Sequence, residues 1–343
     1  MNIALIGLAQ AGKRTLFSLL TGRQVRPDRR PGEVVEGIAP IRDKRVDGLA
    51  EIFDPKAKVY AENDFVLCPD AVVGGEGHDW LAAAAKCDLL CLVLRSFPSP
   101  EVYHPSGSID PQRDRSELEA ELLLADLEIV EKRLERIEKE SRAGLSPQQK
   151  IERSSLEKCR DLLENELPLT EGSFDEHESA ALRNLCLLSI KPLVYVYNVS
   201  EDDLDSNFGP ASVAVSCRIE QEISELESQE EQREYMQAIG LDSSGVDRVN
   251  AMAYDALGLM SFYTVGKDEC RAWTIRKGSA APVAGGKIHS DIERGFIRVE
   301  VVKYEDMIAA GSEQAAKQQG KVQTRGKDYI IEDGDICHFL FNV

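Results

Sequence analysis

Residues 1–22 read MNIALIGLAQAGKRTLFSLLTG, and the stretch from Gly7 to Leu16 decides the fold. Gly7, four residues, Gly12 and Lys13 follow the P-loop pattern, in which backbone N–H groups and a helix N-terminus surround phosphates and the lysine reaches the outer ones. A strand-like run at 2–7 precedes the loop, and the helical spacing of Leu16, Leu19 and Leu20 follows it, the setting such a loop needs. The candidate phosphate-binding residues are Gln10, Ala11, Gly12, Lys13, Arg14 and Thr15. An ordinary strand–turn–helix corner with a chance lysine is the plain alternative. Position 14 breaks the pattern: it calls for a Ser or Thr whose hydroxyl holds Mg²⁺. A guanidinium supplies no oxygen, but its fork suits direct pairing with phosphate.

The chain has 343 residues, a length for two or three domains, and a net charge of −19. Such a charge argues against a broad positive field that coats nucleic acid. The charge is uneven: residues 263–343 carry 12 basic and 12 acidic side chains, so this segment alone is neutral enough to approach RNA. Within it RAWTIRKG offers Arg271, Trp273, Arg276 and Lys277 as an RNA or partner contact, with a half-buried core Trp273 as the alternative. His289 and His338 lie in the same segment without a nucleophile pattern nearby, and read as structural or surface histidines rather than catalysts. No apolar run approaches the roughly 18 residues of a membrane span, so a cytoplasmic protein without a membrane partner is expected. The eight cysteines are scattered without a C-x-x-C pair, which points to buried thiols rather than a metal site.

Strand-like runs recur at 37–43, 64–68, 88–97, 192–198 and 211–216, alternating with helical stretches at 14–21 and 80–86. That alternation implies an α/β fold with an open, mostly parallel sheet. Residues 114–181 interrupt it. Leu123, Leu127, Val130, Leu134 and Ile137 form a heptad seam, and a second helix from Gln148 to Glu166 returns with Ile151, Leu156, Cys159 and Leu163 on one face. This is an inserted antiparallel helical hairpin, either a solvated arm or a docking element. Beyond residue 262, strand-like RAWTIRKG, GFIRVEVVKY, DYIIEDGD and CHFLFNV surround an Ala/Gln-rich helix near 312–319, a compact α+β module. The strand PLVYVY ends in Asn198-Val199-Ser200-Glu201, an N-x-x-E in the place of the N-K-x-D that reads guanine, and Ser216 ends the next strand at the second base loop.

In this order the elements resemble the YchF, or Obg-like ATPase, branch of the Obg-related P-loop NTPases. The resemblance runs through GLAQAGKRTLFSLLTG, ELLLADLEIVEKRLERIEK, KPLVYVYNVSE, LMSFYTVGKDECRAWTIRKG and GKDYIIEDGDICHFLFNV. It implies a P-loop G domain at 1–113 and 182–262, a coiled-coil hairpin at 114–181, and a β-grasp, ubiquitin-like TGS domain at 263–343. It further implies binding of ATP or GTP, with Asn198 and Glu201 favouring adenine, and association with ribosomes or RNA through the TGS domain and hairpin. An apolar residue, here Val72, stands where other GTPases place a catalytic Gln. Three departures from the family pattern matter: Arg14 replaces the P-loop Ser, Pro31 the Thr of the first switch, and Cys68 the Asp of D-I-A-G, whose Gly becomes Ala71. Those groups serve Mg²⁺ and the γ-phosphate, so hydrolysis is expected to be weak or absent, with no catalytic residue assigned. Asp70 is the candidate oxygen that could restore a metal ligand or a slow turnover. The competing expectation is a nucleotide-free pseudo-NTPase that acts as a scaffold.

Overall fold

The computed structural model describes residues 1–26, 32–75, 77–99, 102–140 and 144–342. Pro31, the first-switch replacement, lies outside them. The chain divides into two compact units, Met1–Gly37 with Asp64–Val249, and Ile38–Asn63 with Asn250–Val343. It begins with β1 (Asn2–Ile6) and α1 (Lys13–Thr21), continues through β2 (Val35–Ile41), α2 (Lys44–Phe53), β3 (Ala57–Val59) and β4 (Ala61–Leu67), and reaches α3 (Asp79–Ala84) and β5 (Leu89–Ser96). The hairpin helices α4 (Pro111–Glu140) and α5 (Pro147–Glu164) follow, then α6 (Glu176–Leu182), β6 (Leu193–Val199), β7 (Ser212–Val215), α7 (Cys217–Ser224), α8 (Gln229–Ala238) and α9 (Gly245–Ala256).

These strands form a six-stranded sheet in the order β2-β4-β1-β5-β6-β7. Every pairing from β4 to β7 is parallel. Residues Leu89 to Arg95 of β5 are all buried, as a central parallel strand covered on both faces requires. Ala4, Ile6, Leu90, Leu92 and Tyr197 pack on one side with Trp80, Ala84, Leu118 and Ile219.

The hairpin seam packs Val130 and Ile137 against Leu156, Cys159 and Leu163, with Leu123, Leu127 and Leu134 half-buried around them. Arg133 clasps Glu152 across the seam through Nε at 2.6 Å and Nη2 at 2.8 Å. Ser146 and Gln149 form a capping box that starts α5, with Pro147 at its first turn. One expected member of the apolar face is displaced: Ile151 is 38% exposed, and Ser155 is buried on that face with its hydroxyl donating to the Ile151 carbonyl at 2.8 Å. Midway along α4 the buried Asp126 carboxylate accepts from the Leu188 and Ser189 amides, each at 2.7 Å, and from the Ser189 hydroxyl at 2.6 Å.

The second unit adds β8 (Leu259–Val265), β9 (Glu269–Arg276), α10 (Ala281–Ile288), α11 (Ser290–Arg294), β10 (Phe296–Lys303), α12 (Tyr304–Ala310), α13 (Glu313–Gln318), β11 (Gln323–Arg325) and β12 (Asp335–Phe341). Its sheet runs β11-β10-β12-β8-β9-β3, with β12 and β8 parallel between antiparallel neighbours. Phe262, Phe296 and Phe339 pack edge-to-face in its core. The stretch DYIIEDGD forms no continuous strand: Ile330 makes a single bridge to Ala280, and β12 starts only at Asp335. Its polar groups turn inward instead, where the fully buried Asp335 takes Lys303 Nζ at 2.6 Å and the Tyr329 hydroxyl at 2.8 Å.

Residues 38–63 join this unit through β3, which pairs with β9 in parallel, and through Asp43. Asp43 caps α2, pairs with Arg45 at 3.0 Å, and accepts from the Tyr263 hydroxyl; Arg45 also reaches Asp333 at 2.5 Å. Burial, with the neighbouring Asp43 charge, raises the Tyr263 phenol far above its ordinary value and keeps it a donor. Among the described residues no helix is long and apolar enough to cross a membrane.

Candidate phosphate site and its relatives

The loop after β1 is shaped by two glycines. A Cβ on Gly7 would stand 2.3 Å from the Val93 carbonyl oxygen of β5, and one on Gly12 would stand 2.2 Å from Asn198 Nδ2. Gly12 also has a φ of 98°, and Gln10 a φ of 63°, so the chain turns twice through the left-handed region before α1 begins. Gly12 caps α1 without any side chain, so the first-turn amides around Lys13 to Thr15 have no side-chain acceptor at the cap. A loop of this shape feeding a helix N-terminus attracts anions.

Asn198 sits behind the loop. Its Nδ2 donates to the Ala11 carbonyl at 3.1 Å, and its Oδ1 accepts from the Cys217 amide at 3.1 Å. The buried carboxamide thus ties the P-loop to the start of α7. The sequence suggests a base contact for Asn198; in the structure both ends of its carboxamide bond the backbone. Ser216 is buried at the cap position of α7, where its side chain makes no capping bond. Glu201 is exposed at the start of a single 3-10 turn over Glu201–Asp203. The structure therefore brings Ala11, Gly12, Asn198 and the Ser216–Cys217 corner together, with Glu201 at the rim of β6.

Lys13 is only 3% exposed, and its ammonium donates to the Gly7 carbonyl, the Leu8 carbonyl and Asp70 Oδ1, each at 2.7 Å. Burial lowers its pKa below the ordinary lysine value, and the Asp70 carboxylate opposes that fall. Arg14 is half exposed on the next helical position, with Nη2 4.0 Å from Asp70 Oδ2. Asp70 is carried there by the segment after β4: the Ala71 amide donates to the Gly7 carbonyl at 2.9 Å, and Leu8 and Ala71 form a parallel bridge. The signal that could have found this contact is the aspartate itself, placed where a D-I-A-G pattern has an alanine.

The residues present do not fit Mg²⁺. Arg14 stands where the P-loop pattern has a hydroxyl, Asp70 lies between an ammonium and a guanidinium, and Cys68, where the resemblance places a carboxylate, is a buried thiol. What the arrangement offers among the described residues is a cradle for anions: loop amides, the buried Lys13 and the exposed Arg14.

In the second unit, strand alternation places Arg271 and Trp273 on one face of β9 and Arg276 on the other. Arg271 stacks over the Trp273 ring at 4.5 Å, and the indole N–H donates to Thr264 Oγ1 at 2.9 Å. Trp273 is half-buried against the module's core, and Lys277 pairs with Asp255. The four expected contact residues do not form one face.

Comparison with known proteins agrees along the whole chain. The family model YchF-GTPase_C, described as a protein of unknown function (DUF933), matches residues 259–342. The chain is 36% identical over 366 aligned residues to the ribosome-binding ATPase YchF of Bacillus subtilis, covering 100% of both proteins. It is 34% identical to the Obg-like ATPase 1 of Rattus norvegicus, covering 100% of this chain and 92% of that protein. The solved structure of the Schizosaccharomyces pombe YchF GTPase superposes with a TM-score of 0.84 at 30% identity, covering 99% of this chain and 97% of that one. The architecture is accordingly that of a P-loop G domain with an inserted helical hairpin and a C-terminal TGS domain, and the chain belongs to the YchF and Obg-like ATPase family.

Proposed function

We propose that this chain is a purine-nucleotide-binding regulatory protein that associates with the ribosome, and that it holds phosphate through Lys13, Arg14 and the loop amides in place of Mg²⁺. The carrying observation is the pairing of a preserved cradle with a donor set that has no place for the metal: Arg14 and Cys68 stand at the two positions that supply its oxygens. Phosphoryl transfer depends on charge neutralisation and positioning, so the same substitutions leave hydrolysis slow or absent. The relatives' printed names, ribosome-binding ATPase and GTPase, support the nucleotide and the ribosome as partners. Bound nucleotide would act by biasing the segment after β4, which Ala71 ties to the loop.

Calorimetric titration of ATP and GTP, each with Mg²⁺ and with EDTA, tests this reading. ATP binding that survives EDTA is expected; binding that requires Mg²⁺ overturns the metal-free cradle. A second reading, a scaffold that uses no nucleotide, is favoured by the internal partners that already surround the Lys13 ammonium. Ribosome co-sedimentation that ignores both nucleotide and Lys13→Ala would select it.

A further inference from the structure

Lys13 and Asp70 lie 57 positions apart in the chain, yet their charged groups meet at 2.7 Å. An ammonium has three protons to donate. The Gly7 and Leu8 carbonyls accept two of them and the Asp70 carboxylate the third. The second oxygen of the same carboxylate faces Arg14 at 4.0 Å. One anionic group of the protein therefore confronts both side chains that phosphate would use. Asp70 stands at the mouth of the site, 41% exposed against 3% for Lys13, so it also screens the lysine from water. The Ala71–Gly7 hydrogen bond holds its backbone beside the loop, so rotation of the side chain is enough to release the lysine.

We propose that Asp70 is a built-in competitor for the phosphate seat: its carboxylate holds Lys13 and faces Arg14 in the nucleotide-free protein and withdraws when the β- and γ-phosphates of a nucleoside triphosphate enter. The inference rests on the reading of residues 7–15 as a nucleotide site. Electrostatics favour this role for Asp70 over that of a metal ligand, because a further cation placed on this carboxylate would meet an ammonium and a guanidinium of like charge. The exchange keeps each cation matched to an anion throughout. It discriminates between ligands by what they bring to Lys13: a triphosphate must displace Asp70, while a monophosphate stops short of it. A seat closed nine-tenths of the time weakens apparent affinity about tenfold.

The test is calorimetric titration of ATP and of AMP into the wild type, Asp70→Asn and Asp70→Ala, in EDTA and in Mg²⁺. In both variants ATP is expected to bind about tenfold more tightly, in EDTA as well as in Mg²⁺, with no gain for AMP. Thermal unfolding should move the other way without nucleotide. Lys13 loses its carboxylate partner, so the variants melt below the wild type and gain more on adding ATP. Unchanged or weaker ATP binding in the variants, beside a wild type that binds, overturns the competitor and leaves the nucleotide site standing. Loss of binding confined to Mg²⁺ identifies a metal ligand and overturns it equally. If neither the wild type nor the variants bind any nucleotide, the site itself falls, and the competitor with it.

Discussion

The loop at 7–13 and the segment at 68–72 touch through the Leu8–Ala71 bridge, yet they stand differently toward the pattern of their family. The loop keeps what its chemistry draws from the backbone: two glycines in tight quarters, two left-handed turns and an uncapped helix start. The segment presents a buried thiol at Cys68 and a buried methyl at Ala71, where the resemblance places a carboxylate and a glycine. Amides are positioned by the fold and persist while it persists. A metal ligand is one side chain, replaceable without disturbing the sheet. An anion cradle can therefore outlast the metal site beside it.

The loop is most sensitive at its glycines. Gly12→Ala forces a left-handed residue against Asn198, and is expected to destabilise the protein by about 3 kcal/mol in urea unfolding. A loss below about 1 kcal/mol would mean the loop is not held as described. Next in size, Lys13→Ala should weaken ATP binding about a hundredfold, roughly 2.7 kcal/mol by calorimetry. Unchanged affinity would remove the loop from nucleotide binding altogether. Asn198→Ala leaves the Ala11 carbonyl and Cys217 amide without their partner and is expected to lower stability by about 2 kcal/mol, read from the urea midpoint. Equal loss of stability and of nucleotide affinity would mark Asn198 as a brace rather than a base reader.

The side-chain half is sharpened by reversal. Arg14→Ala should weaken ATP binding in EDTA about tenfold, roughly 1.4 kcal/mol. The double change Arg14→Ser with Cys68→Asp, which returns two oxygens, should make binding depend on Mg²⁺. The smallest effect is a slope. Lys13 has a folded pKa below 10.5, so between that lowered value and 10.5 the unfolded chain holds more protons than the folded one. Stability attributable to Lys13 therefore rises with pH across that window, and is lower below it. Urea unfolding of Lys13→Met alongside the wild type should show the stability difference between them shifting in favour of the wild type as pH rises through this window.

Much of the fold was legible because it is written locally. The runs at 2–7, 88–97 and 192–198 are apolar over their lengths and became β1, β5 and β6. The seam from Leu123 to Ile137 has a helical period that needs no tertiary knowledge. Residues 44–59 were not legible: α2 is half polar, β3 is three residues long, and the strand that pairs with β3 and the Arg45 partner Asp333 lie more than 200 positions away. The site divides in the same manner. Gly7, Gly12 and Lys13 announce themselves by spacing, whereas the Asp70 contact depends on which loop the parallel bridge brings alongside. Asn198 stands out by its place at a strand end, but its bonds to the Ala11 carbonyl and the Cys217 amide depend on loops that only the fold brings together. Ile151 shows the limit of periodicity, since Ser155 can satisfy its own hydroxyl on a helical carbonyl and take the inner face.

The long reach of Arg45 to Asp333 has a consequence for how the protein is made. The two residues are 288 positions apart, so at about 5–20 residues per second the earlier waits roughly 15–60 s on the ribosome for its partner. For most of that interval residues 38–63 have neither β9 to pair with nor Tyr263 to bond. β12, translated after every other strand of its sheet, occupies a central position between β10 and β8. The second unit therefore cannot mature piecemeal as the chain appears. Its first-made segment stays open to chaperones and to misplaced strand pairing until the last-made strand arrives to close the sheet.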